Sequence, residues 1–175
     1  LQLPEFLKQK FNIYYNSLSK EEKPLFCLIK RITKRFILNE HELLDIARKY
    51  GYKTIVLTLD SMPLLEQLTI FHQCSILVGI HGSGMINSVF LRPNAILIQL
   101  LPFKVCNCNF MFEEYQEHIQ YIEWRNMHED STVIHKHLIS NEEWNKFETT
   151  RKQPCYSPSD YLFFKFWINQ DTIVN

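Results

Sequence analysis

The 175-residue sequence has little of what marks several protein classes. It has no charge excess: 19 Lys and Arg face 19 Asp and Glu, a formal net charge of zero. A protein that tracks nucleic-acid phosphates needs a basic surplus, so a nucleic-acid partner is not expected. Only 4 Gly and 7 Pro occur, which leaves low-complexity linker a minor part at most. No apolar run is long. The best of them, Ser75–Ile80 and Ala95–Leu101, fall far short of the roughly 18 residues of a membrane-crossing helix. They have the length of buried strands. The five cysteines, Cys27, Cys74, Cys106, Cys108 and Cys155, are too sparse for a dense disulfide framework. No Asn-x-Ser/Thr sequon occurs, so glycan acceptor sites say nothing of compartment.

What is present is a core. The chain is 46% hydrophobic and 14% aromatic, too apolar for a disordered polymer. Its length fits one domain. The N-terminus, LQLPEFLKQK, has neither an initiator Met nor an apolar signal core. The expectation is therefore a piece of something longer, with any targeting segment upstream.

Residues 1–23 read as a polar N-terminal helical segment with a stripe of Phe6, Leu7, Phe11 and Ile13. Residues 24–175 read as one domain. Leu25–Ile29 is a short buried strand, followed by a basic turn, Lys30–Arg35. Asn39 stands three residues before Glu42, which fits a capping box, with Leu43, Leu44 and Ala47 as the apolar face and Gly51 as the stop. Tyr52–Leu59 is a second strand. Asp60 and Ser61 are candidate caps, with Pro63 in the first helical turn. Leu64, Leu65, Leu68 and Phe71 fall at helical spacing. Ser75–Ile80 is a third strand, His81–Gly84 a tight turn into a short helix through Phe90, and Ala95–Leu100 a fourth strand. Met111–His118 reads as a helix and Tyr121–Trp124 as a fifth strand. Asn141–Arg151 and Ser159–Ile168 read as closing helices, the last packed back by Tyr161, Phe164, Phe166 and Trp167. Strand–helix alternation predicts an α/β fold: a Rossmann-like parallel sheet with helices on both faces.

On such sheets ligands bind outside the carboxyl ends of the strands. Two loops suit that place. The first carries Lys30, Arg31, Thr33, Lys34 and Arg35, and its clustered cations can neutralise a diphosphate, for which the planar guanidinium fork is well shaped. The alternative is a solvated basic turn. The second, His81-Gly82-Ser83-Gly84, offers close backbone approach and free N–H groups to an anion. Its alternatives are a plain strand-to-helix turn and a satisfied imidazole. Gly82 and Gly84 begin a dinucleotide fingerprint, but Asn87 holds the third glycine position, which argues against a redox domain. Ser83 lacks the spacing of a nucleophile elbow, so a hydrolase is not expected. Gln99, near the end of the fourth strand, can pair with ribose hydroxyls or with backbone. Glu113, Glu114 and Glu117 read as a solvated face. Cys27 and Cys74 read as plain core residues, and Cys106 and Cys108 as open to a disulfide or a metal. His72-x-Cys74 and Cys106-x-Cys108 lack paired zinc spacing, and no divalent metal is predicted.

The strings RITKRFILNEHELL, ILVGIHGSGMINSVFLRPNAILIQLLPF and YIEWRNM, in this order, resemble glycosyltransferase family 61. The Arg-x-x-x-Arg, the His-Gly turn and the Phe-Leu-x-Pro-x-Ala segment carry the resemblance, from about Leu25 to the end of the chain. The stretch from Tyr121 to Met127, with Thr132–His135, is similar to the members that act on O-linked mannose. The resemblance implies the C-terminal, donor-binding half of a two-domain GT-B enzyme, facing an N-terminal domain absent here. It implies an inverting transfer from UDP-GlcNAc to O-linked mannose on a glycoprotein such as dystroglycan. It further implies the endoplasmic reticulum lumen, with a type II membrane anchor upstream. Members that modify EGF domains, and a non-catalytic nucleotide- or glycan-binding relic, are the alternatives. On that resemblance Arg31 and Arg35, with Thr33 between them, hold the diphosphate. His81, Gly82, Ser83 and Gly84 complete the pocket, Gln99 holds ribose where some members carry Glu, and Arg125 lines the cleft or ties the tail to the sheet. No catalytic base is assigned.

Overall fold

The computed structural model describes residues 23–106, 108, 118–150, 155–160, 163 and 165–174, the side chains of 147, 149 and 150 excepted. The expected helices over 1–22 and Met111–His118, the carboxylates Glu113, Glu114 and Glu117, and the aromatics Tyr161 and Phe164 lie outside the described residues, save His118.

Five strands form one parallel sheet: β1 (Leu25–Ile29), β2 (Lys53–Leu57), β3 (Cys74–Ile80), β4 (Ile96–Leu101) and β5 (Gln120–Arg125), in the order β2-β1-β3-β4-β5. Each expected strand is present, the first with the bounds expected and the others with ends shifted by at most two residues. The inner strands are near-continuous apolar runs because both faces are covered. Phe26, Leu28, Val78, Ile80 and Leu100 face helix α1 (Glu40–Lys49), whose Leu43, Leu44 and Ala47 pack on them. Cys27, Ile29, Leu77 and Leu97 face the other side, where Phe71 of helix α2 (Leu64–Gln73) and Met85 cover them. Helices therefore lie on both faces.

The strand order places a reversal at β1. The chain steps from β1 through α1 to β2 on one side, then through α2 to β3 on the other. The loops after β1 and β3 thus lie side by side at the carboxyl end of the sheet, the switch point where open α/β sheets bind ligands.

Several local expectations change. Asn39 does not cap α1 by its side chain; its Nδ2 donates to the Val174 carbonyl at 2.7 Å and its Oδ1 accepts the Val174 N–H at 2.9 Å. A long-range backbone partner, two residues beyond Thr172, has outcompeted the local cap. Acidic residues in the first turn of α1, basic ones in the last, and Gly51 at φ +88° still fix its ends. Leu59–Ser61 is a turn of 3-10 helix, and Pro63, not Asp60 or Ser61, precedes α2. Leu68 and Phe71 are buried but Leu64 and Leu65 are exposed, because α2 turns only one narrow stripe inward. The helix after Gly82 is 3-10, over Ser83–Phe90.

After β5 the chain is irregular. A two-stranded antiparallel ribbon, β6 (Thr132–Val133) with β7 (Asp171–Thr172), and helix α3 (Asn141–Thr150) surround a separate aromatic core. Phe163, Phe166 and Trp167 are buried there, and Tyr156 stacks on Trp167 at 4.1 Å between centroids. The expected helix over Ser159–Ile168 is, in its described residues, a set of turns leading into 3-10 helix at Trp167–Asn169.

Two of the cysteines, Cys27 and Cys74, also differ from expectation, while Cys106 takes one of the two options open to it. Cys27 and Cys74 are buried but bonded to each other across β1 and β3, and Cys106 is bonded to Cys155. Sequence separations of 47 and 49 residues hide both pairs from any spacing rule. Cys108 alone is free, and burial pushes its thiol up to about 12.

Candidate functional site

The loop after β1 brings its two arginines to the loop after β3. Arg35 sits at φ +63°, a left-handed conformation that costs a side-chain-bearing residue energy. That turn sends its guanidinium across the switch point, where Nη1 donates to the His81 carbonyl at 2.7 Å. Gly82 lies beneath both arginines. A Cβ there would stand 3.1 Å from Arg35 Nη1 and 3.4 Å from Arg31 Nη1. Glycine is needed for this close approach, not for its backbone angle, which is extended.

The two guanidiniums have no carboxylate partner among the described residues, whereas neighbouring Lys30 is paired with Glu40 at 2.8 Å. Arg35 Nε is buried and has no hydrogen-bond partner among the described residues. Burial, and then repulsion from Arg31, pulls the Arg35 pKa down to about 10. Two converging cations with an unused buried donor are an incomplete arrangement. An anion would complete it, by charge and by accepting the free N–H. Among the described residues the N–H groups of Gly82, Ser83 and Gly84 have no backbone acceptor outside their own 3-10 turn, so they add donors at the same spot.

The basic loop does not hold this shape alone. Asp171 of β7 accepts the Phe36 N–H at 2.7 Å, Thr172 N–H donates to the Phe36 carbonyl at 3.0 Å, and Leu38 N–H donates to the Thr172 carbonyl at 2.8 Å. The other oxygen of Asp171 pairs with His135 Nε2 at 2.8 Å.

A row of polar side chains crosses the sheet beside this loop pair. Strand alternation puts His81, just past β3, with Gln99 of β4 and Tyr121 and Glu123 of β5 on the α2 face. His81 Nδ1 meets Gln99 Oε1 at 2.8 Å; Gln99 Nε2 donates to Tyr121 Oη at 2.8 Å; Tyr121 Oη donates to Glu123 Oε2 at 3.1 Å. Burial, chiefly, with the Arg35 charge, lowers the His81 pKa, so its imidazole is neutral at pH 7; the Gln99 bond and Glu123 oppose this.

The sequence model of the family described as Glycosyltransferase 61 matches residues 2–98, more than half of the chain. The chain belongs to glycosyltransferase family 61. Its curated relatives include protein O-linked-mannose beta-1,4-N-acetylglucosaminyltransferase 2 of Danio rerio, 29% identical over 99% of this chain and 32% of the relative. The protein of the same name from Takifugu rubripes is 28% identical over 90% of this chain and 30% of its own length. The human one is 28% identical over 77% of this chain and 24% of its own length. The chain spans about a third of the length of these relatives or less.

In this family 61 chain, Arg31 and Arg35 meet at Gly82, in the turn that also carries His81, Ser83 and Gly84. Thr33 is exposed on the same loop with no hydrogen bond to another described residue. Gln99 does not stand open to a ribose: it is fully buried and both ends of its amide are engaged. Arg125 is not drawn into the cluster. It ends β5, two strands from β3, paired with Glu123 at 2.5 Å. Asn126 rather than Arg125 ties the tail to the sheet, donating to the Ser131 carbonyl at 2.9 Å and to Thr172 Oγ1 at 2.6 Å. Asn87, which breaks the dinucleotide fingerprint, donates to the Gly84 carbonyl at 3.1 Å and so closes the turn itself. Sequence reading missed Tyr121, Glu123 and Asp171 as supports of the site, since none belongs to a local motif.

Proposed function

We propose that this chain is the nucleotide-sugar-binding half of an inverting, GT-B-type glycosyltransferase that transfers N-acetylglucosamine from UDP-GlcNAc to O-linked mannose on a glycoprotein. The observation that carries the donor site is the pair of guanidiniums, without a carboxylate partner among the described residues, converging over Gly82 at the switch point. The curated relatives, named for transfer to O-linked mannose, support the acceptor class, and dystroglycan is one acceptor of that class.

In this reading the donor lies across the ends of β1 and β3 with its diphosphate on Arg31, Arg35 and the N–H groups of Gly82, Ser83 and Gly84. As the acceptor's hydroxyl oxygen attacks the anomeric carbon and gives up its proton to a base, the bond from that carbon to the diphosphate oxygen breaks and negative charge grows on the leaving UDP. Fixed cations and N–H dipoles, already aimed at that oxygen, stabilise the transition state more than the ground state. Arg35 is the larger contributor because its buried Nε has no hydrogen-bond partner among the described residues and is left to meet the anion. The neutral His81 adds a hydrogen-bonding group rather than a third charge. The general base for the acceptor hydroxyl belongs to the remainder of the longer enzyme, across the cleft. Work in the endoplasmic reticulum lumen, behind an upstream type II anchor, accords with the two disulfides, which persist in oxidising compartments.

Calorimetric titration of the chain with UDP, UDP-GlcNAc and GDP tests this. UDP-selective binding is expected. Arg35→Ala is expected to weaken it by roughly 10- to 100-fold, the weight of a charge-assisted contact, and Arg35→Lys to recover little, since an ammonium lacks the fork. Equal binding of GDP, or an Arg35→Ala variant as tight as the parent, refutes the assignment.

A further inference from the structure

The row His81–Gln99–Tyr121–Glu123 fixes something the diphosphate reading alone leaves open: which way the imidazole faces its proton. Tyr121 Oη sits 3.1 Å from the Glu123 carboxylate. An ionised carboxylate only accepts, so the phenol donates to it; burial and Glu123 both push the Tyr121 pKa up and keep that proton in place. The phenol oxygen is then the acceptor for Gln99, 2.8 Å away, which must present its NH2. The Cys108 carbonyl, 3.4 Å from the same nitrogen, can also only accept and demands the same orientation. Two independent acceptors thus turn the amide one way. Its oxygen is left facing His81 Nδ1 at 2.8 Å, so Nδ1 must carry the proton. Nε2 has no hydrogen-bond partner among the described residues.

We infer that Gln99, Tyr121 and Glu123 are positioning residues that hold His81 in its Nδ1–H form, so that Nε2 meets the bound ligand as a hydrogen-bond acceptor and takes a hydroxyl or amide N–H rather than a phosphate oxygen. The ligand half of this inference rests on the donor-site reading. It divides the labour of the site. Arg31, Arg35 and the glycine-loop N–H groups, all donors, serve the diphosphate. His81 supplies an acceptor, which phosphate cannot use but a ribose or sugar hydroxyl, or the N-acetyl N–H, can. The relay also explains why β4 carries a buried glutamine among Ile98, Leu100 and Leu101. An unpartnered amide there would cost free energy, and every polar end of this one is met.

Nitrogen NMR of the full chain, labelled with 15N-histidine and referenced to His81→Ala, reads the tautomer without any ligand. A predominant Nδ1–H signal for His81 at pH 7.5 is expected. Gln99→Leu, similar in volume, is expected to give a mixture of tautomers with the fold retained by circular dichroism. Tyr121→Phe is expected to shift the population in the same direction by less, because the Cys108 carbonyl remains. An Nε2–H signal in the parent, or no change in a folded Gln99→Leu variant, overturns the relay. The ligand half is read by titrating UMP, UDP and UDP-GlcNAc into parent and His81→Ala. A loss of roughly tenfold shared by UMP and UDP assigns the nucleoside as Nε2 partner, and one confined to UDP-GlcNAc assigns the sugar. A loss seen with UDP but not UMP, and no greater with UDP-GlcNAc, places Nε2 on the second phosphate and overturns the inference. A parent chain that binds none of the three overturns the ligand half along with the donor-site reading, while the tautomer spectrum still decides the relay.

Discussion

Residues 25–125 and residues 126–174 are held by different means. The first region is built on a sheet whose parallel ladders keep one register except for a shift at Leu25/Phe26 between β1 and β3, with apolar side chains alternating between two covered faces. The second has one two-residue ribbon and depends on side chains. Asn126 gathers the start and end of the tail, Tyr156, Phe166 and Trp167 pack in contact, and Cys155 is bonded back to Cys106. The regions meet where it matters, since β7 hydrogen-bonds the loop that carries Arg31 and Arg35. The difference teaches that the sheet sets the position of the site, while the tail sets the shape of one of its loops.

Removing the disulfides tests that comparison most strongly. The two bonds close loops of similar length, 47 and 49 residues, so loop-closure entropy assigns each about 4 kcal/mol. The consequences should differ in place. Serine at both Cys106 and Cys155 is expected to lose hydrogen-exchange protection over 131–139 and 156–172 while the sheet keeps its own. Serine at both Cys27 and Cys74 is expected to lower protection across all five strands together. If the Cys106/Cys155 variant instead loses protection everywhere at once, the two regions are a single cooperative unit and the comparison fails.

A smaller effect sharpens the comparison at the junction. Asp171→Ala leaves the Phe36 N–H and His135 without their acceptor, a cost of about 1–3 kcal/mol for a buried donor. Its expected signature is a partial loss of UDP affinity with sheet protection unchanged. Unaltered affinity in a folded variant would mean that β7 does not shape the basic loop.

The smallest effect is a surface one. Lys165 holds the Glu143 carboxyl below its usual range, helped by the Ser140 N–H. A carboxylate with a lowered folded pKa stabilises above its unfolded value and loses that contribution as pH falls through the folded one. Acidification from pH 6 towards pH 3 should therefore loosen α3 slightly in the parent, and Glu143→Gln should remove that component of the pH response. Thermal melts of the two proteins across that range would show it, and identical pH slopes would exclude it.

The strands, the basic loop and the glycine turn were legible in the sequence because each is local: an apolar run, a charge cluster or a turn residue acts within a few positions. The sequence by itself therefore determined the parallel α/β class, the two loops with ligand chemistry, and the family. Only the tertiary structure decided what those parts do together. That β3 lies beside β1 brings Arg35 to His81 across 46 residues of chain. It also pairs Cys27 with Cys74, and the row of β3, β4 and β5 turns Gln99 from a ligand contact into a support for His81. Asn39 shows the same rule in the other direction, since its local capping pattern yields to Val174, 135 residues away. Local pattern reports which segments are buried and which carry charge. Partner choice is settled by strand order and packing, where each contact depends on residues that no short window contains.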